Sequence, residues 1–116
     1  MENYKSIHKE LSSGGWQNLS LCEQLGNIGS EVSRVLRWKN ENQDNFKNAV
    51  SRTLELFDLT LGDPRWIERL REIARAREVF LDAISGGKEY KSSLKDLDKY
   101  FFHFAYCANL KKDKEA

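Results

Sequence analysis

Apolar residues recur at helical spacing in four stretches of this chain, separated by polar or glycine-rich breaks. Leu21, Leu25, Ile28, Val32 and Val35 step by alternating fours and threes, the pitch of one helix face, and predict a first helix from about Asn18 or Ser20 to Lys39. A second stripe runs beside it through Cys22, Gly26, Gly29 and Ser33. A helix-interior glycine costs about 1 kcal/mol relative to alanine. Two on one face therefore predict the close approach of a neighbouring backbone or ring. Asn42-Gln43-Asp44-Asn45 supplies capping side chains for a second helix, with Phe46, Ala49, Val50, Thr53, Leu54, Phe57 and Leu61 on its inner face. Gly62-Asp63-Pro64 marks the next boundary: Gly62 for a left-handed C-terminal position, Asp63 for an N-cap, Pro64 for a first helical position. A third helix is expected from Pro64 to about Ile84, facing inward through Trp66, Ile67, Leu70, Ile73, Ala74, Phe80, Leu81 and Ile84. Gly86-Gly87 ends it. Ser92 or Ser93 caps a fourth, with Leu94, Leu97, Phe101, Phe104, Ala105 and Ala108 inward.

Four matched stripes without β-type alternation predict an all-α fold, an antiparallel up-down four-helix bundle. Residues 1–17 read as an N-terminal extension, with Tyr4, Ile7 and Leu11 at helical spacing before the joint Ser12-Ser13-Gly14-Gly15. Residues 18–110 form the bundle and 111–116 a charged, solvated tail.

The 116 residues match one domain, long enough to bury roughly 65% of the unfolded surface. Charged residues are 32%, hydrophobic ones 40%, and mean hydropathy is −0.69, values of a soluble globular chain. Nineteen basic against eighteen acidic residues leave +1, so no bulk field draws in nucleic acid or anionic lipid. The polar start, Met1 to Lys9, and the lack of any long apolar run predict neither a signal peptide nor a membrane span. Cys22 and Cys107 stand alone, as in a reduced, cytoplasmic protein.

Candidate chemistry is sparse. The histidines are His8 and His103, and neither follows a glutamate by three residues, as bundle di-iron sites require. The arginine-to-histidine spacing of HEPN bundle ribonucleases is missing too. No phosphate-cradling loop or nucleophile elbow occurs, so neither catalysis, metal nor cofactor is expected.

Helix three carries Arg65, Arg69, Arg71, Arg75 and Arg77, but Glu68, Glu72, Glu78 and Asp82 interleave as on a solvated zwitterionic face. Arg34, Arg37 and Trp38 end helix one, and together with Arg71 and Arg75 they are the candidate RNA contacts of an alternative reading. Arg77 falls at the centre of the expected inner stripe. It is expected either to be buried and paired, with Glu31 as partner, or to snorkel to a bundle edge. Phe102 and Tyr106, four apart, are left over from the inner stripe of helix four and are the candidate self-association surface, most simply of a symmetric dimer.

Gln24, Asn27-Ile28, Glu31, Arg34, then Phe46 and Leu54-Glu55-Leu56 resemble the four-helix-bundle family of proteins encoded in intervening sequences of large-subunit ribosomal RNA genes. That family carries an Asn-Ile-Ala-Glu-Gly core followed by a basic residue. Here the glutamate, Glu31, comes one place late, and Val32 stands where glycine is expected. The resemblance covers about a third of the chain. It implies a non-enzymatic, self-associating bundle that meets RNA or a protein partner. The favoured expectation is an interaction module that self-associates, with a protein partner ahead of nucleic acid and without a membrane.

Overall fold

A computed structural model of the chain describes residues 15–115, with side chains described over 15–104. Four α-helices carry the fold: α1 (Leu21–Trp38), α2 (Gln43–Leu61), α3 (Leu70–Ile84) and α4 (Leu94–Glu115). Short 3-10 segments, Trp16–Asn18 and Pro64–Arg69, precede α1 and α3, and no strand occurs among the described residues. The extensive pairings run α1 with α4, α1 with α2, then more thinly α2 with α3 and α3 with α4, a closed ring of neighbours. Gly29 lies against Phe101 while Ser33, one turn further along α1, bonds Asp98, nearly one turn earlier along α4. Those two helices are therefore antiparallel. The fold is an all-α helical bundle.

Local chemistry explains the helix starts. Ser20 and Glu23 form a reciprocal capping box on α1. Asn42 caps α2 through the Asn45 N–H. Ser93 and Asp96 form a second box on α4. Asp63 accepts from the Arg65 N–H ahead of Pro64, as the punctuation predicts. Gly62, however, is right-handed (φ −81°), since the chain turns into the Asp63 cap directly and has no left-handed step to make. The left-handed glycines are Gly86 (φ +116°) and Gly87 (φ +72°), which close α3.

Core residues Leu25, Ile28, Val32 and Val35 of α1 meet Ala49, Leu56 and Phe57 of α2, Ile73, Ala76, Phe80 and Ala83 of α3, and Leu94, Leu97 and Phe101 of α4. Phe57 contacts the rings of both Phe80 and Phe101, at 6.1 and 5.9 Å between centroids. Trp16, placed in the extension by the glycine joint, is buried with this core. The α4 backbone stays helical through the charged tail to Glu115.

The third helix differs most from its pattern. Its first six residues are 3-10, with a non-helical Trp66 (φ −105°, ψ 23°), and regular α geometry begins at Leu70. Ile67 is 69% exposed rather than inward. The buried face is Ile73, Ala76, Phe80 and Ala83, rotated from the expected stripe, so Arg77 sits at its edge rather than its centre. No helix among the described residues is long and apolar enough to cross a membrane.

Candidate functional site

Polar side chains converge where the N-terminal segment, α1 and the α2–α3 link meet. Gln24 is fully buried: its Nε2 donates to the Trp16 carbonyl at 2.9 Å and to Asp63 at 3.1 Å, and its Oε1 accepts from Trp66 Nε1 at 2.9 Å. Trp16 Nε1 donates to Thr60 Oγ1 at 3.1 Å. Arg65 clamps both oxygens of Asp63, bonds the Leu19 carbonyl at 2.8 Å and lies over the Trp66 ring. The Arg65 guanidinium, against the upward push of burial and with help from its own backbone N–H and from Gln24, holds the Asp63 carboxyl down at about 2. These donors and acceptors satisfy one another. The node fastens three segments and presents no open reactive group. Its bonds to Trp66 and Arg65 also hold the start of the third helix in its irregular geometry.

A different surface forms between α1 and α4. A β-carbon added at Gly29 would lie 2.5 Å from the Phe101 β-carbon, so glycine there sets how closely the helices approach, as the small-residue stripe predicts. Ser33 donates to Asp98 across the seam. Beside this contact lies a shallow groove of about 120 Å³ along Gly26, Gly29, Ser30 and Ser33, with Phe102 on its rim. Phe102 is 66% exposed, the left-over position its helical spacing predicts. The Tyr106 side chain, like Tyr4, Ile7 and Leu11, lies outside the described residues.

The arginine candidates do not form one patch. Arg34 turns back onto Glu31, Arg37 stacks on Trp38 at 4.8 Å, and Arg75 lies over Tyr90 at 5.1 Å. Arg71 is exposed on α3, a helix with at most marginal contact to α1.

No family model, curated protein or solved structure matches the chain.

The expected Arg77–Glu31 ion pair is corrected. Arg77 Nε donates to Asp58 of α2 at 3.0 Å, on the surface, and Glu31 pairs with Arg34 one turn along its own helix. The rotated face of α3 is the cause: Arg77 emerges beside α2, whose Asp58 is the nearer carboxylate. The snorkelling alternative describes it. No group of three or more His, Cys, Asp and Glu side chains is placed to hold a metal among the described residues, and His103 is exposed.

The pattern of the sequence missed the node. Gln24 lies on the inward side of α1 and Asp63 is a predicted cap, but nothing in their spacing brings Trp16 and Trp66 to them. Trp16 sits next to glycines that mark a joint, which hid its part in the core.

Proposed function

We propose that this protein is a non-enzymatic helical-bundle interaction module that self-associates through the α1–α4 face, with Phe102 at the centre of the contact. The observation that carries this reading is the exposed Phe102 ring beside the groove of Gly26, Gly29, Ser30 and Ser33. A two-fold interface needs a patch that complements itself. This one holds both a projecting ring and a channel of small residues able to receive the ring of a second copy. Large exposed aromatics bordered by polar groups characterise interface cores. The resemblance to the intervening-sequence family supports the same reading, and the cytoplasm is its natural setting.

Light scattering on the intact chain at ~100 μM tests it, with a dimer as the expected result. Phe102→Ser and, separately, Ser30→Arg in the groove should shift the population toward monomer with helical circular dichroism unchanged. A monomeric unmutated protein overturns the proposal, as does a dimer that survives both substitutions. Tight RNA binding with a steep salt slope would favour the nucleic-acid alternative instead.

A further inference from the structure

We propose that the cleft between α3 and α4 binds a small amphiphilic carboxylate: one aromatic or branched aliphatic body with a single anionic head. Ala76 and Leu97 are buried at its floor, Val79 is half-buried, and the Tyr100 ring forms one wall. The volume is about 270 Å³, at the small end of ligand pockets, so the body is a single ring rather than a drug-sized scaffold.

The rim decides which head can bond directly. Two ionised carboxylates stand there, each already accepting from a protein donor, beside one arginine. Glu72 accepts from Arg69 at 2.8 Å and from the Tyr100 hydroxyl at 3.2 Å. Asp96 accepts from the Ser93 N–H at 2.9 Å and answers the positive end of α4. Arg75, also on the rim, lies over the Tyr90 ring at 5.1 Å, and the Tyr90 hydroxyl is tied to Glu78 at 2.9 Å. Among the described residues the Arg75 guanidinium has no hydrogen bond or ion pair with a protein acceptor. Its fork of N–H donors fits a planar carboxylate. Ser92, on the same rim, supplies a hydroxyl donor.

The test is a titration of the isotope-labelled intact chain, followed by amide chemical shifts, with phenylacetate, its neutral amide phenylacetamide and the cationic phenethylamine. Phenylacetate should shift Ala76, Val79 and Leu97 saturably and bind at least ~5-fold more tightly than the amide, with the amine weakest. Arg75→Gln, a rim substitution, should bring the acid and the amide to equal affinity. The amide's own titration in that variant reports whether the cleft is intact. Equal binding of acid and amide to the unmutated chain overturns the proposal. So do a stronger amine, shifts that miss the cleft or fail to saturate, and an acid preference that survives Arg75→Gln.

Discussion

Helix α4 is flanked by two seams of opposite character. Toward α1 it is closed: Gly29 admits the Phe101 β-carbon, and Ser33 reaches Asp98. Toward α3 it is open: Glu72 and Tyr100 meet only through a hydroxyl–carboxylate bond, and a cleft of about 270 Å³ remains beside them. Side-chain size at the contact decides the difference. Where α1 offers glycine and serine, the backbones close and the ring of α4 is buried. Where α3 offers charged side chains around a small Ala76, the helices stand apart. Apart from both seams, the node at the start of α1 ties that helix to the α2–α3 link, where Asp63, Gln24 and the two tryptophans interlock.

The strongest challenge to this contrast is to remove neighbouring rings of α4. Phe101→Ala removes the ring that α4 carries past the closed seam onto Phe57 in the core and should cost about 4 kcal/mol in urea denaturation. Tyr100→Ala on the open seam should cost about 1 kcal/mol, since its ring is partly exposed. Equal losses would break the comparison. Adding volume comes next. Gly29→Ala should lose about 2 kcal/mol, because the clash with Phe101 outweighs the gain in helix propensity. Ala76→Leu, projecting into the cleft, should change stability by less than about 1 kcal/mol.

Acid separates the node from the open seam. The folded Asp63 carboxyl titrates at about 2, below its ordinary 3.8. Its contribution is complete above pH 3.8 and is lost as pH falls toward 2. With Arg65 part-exposed, the loss should be about 2 kcal/mol, and Asp63→Asn should flatten that stretch of the stability curve. Glu72 is also held below the ordinary range, chiefly by its bond to Arg69, but the pair is half open to solvent. Glu72→Gln should change the acid limb far less. The smallest effect belongs to the surface pair: Arg77→Ala should cost about 1 kcal/mol or less. In double-mutant cycles Arg77 should couple weakly to Asp58 and not at all to Glu31, whose measurable coupling would overturn the observed pairing.

Helical spacing determined the number of helices and the inner stripe of α1, and cap chemistry named Asp63, while the folded chain chose Ser20 over Asn18, Asn42 from its run of four, and Ser93 over Ser92. Each depends on residues within a few positions of one another, where periodicity and cap chemistry act directly. Phe102 was legible for the same reason, as the residue left over once the stripe of α4 was assigned. Gly26 and Gly29 announced a close approach, but Phe101 was named as the approaching group only by the folded chain.

Tertiary contact decided the third helix. Bonds from Trp66 to Gln24 and from Arg65 to Leu19 reach across more than forty residues. They hold the first turn in 3-10 geometry, and that change of phase moves Ile67 out and Ala76 in. The same rotation carried Arg77 from the expected centre of the core to its edge, beside Asp58 rather than Glu31. No window of local sequence contains those partners, so the phase of α3, the node around Gln24 and the width of the α3–α4 seam were settled only when all four helices met.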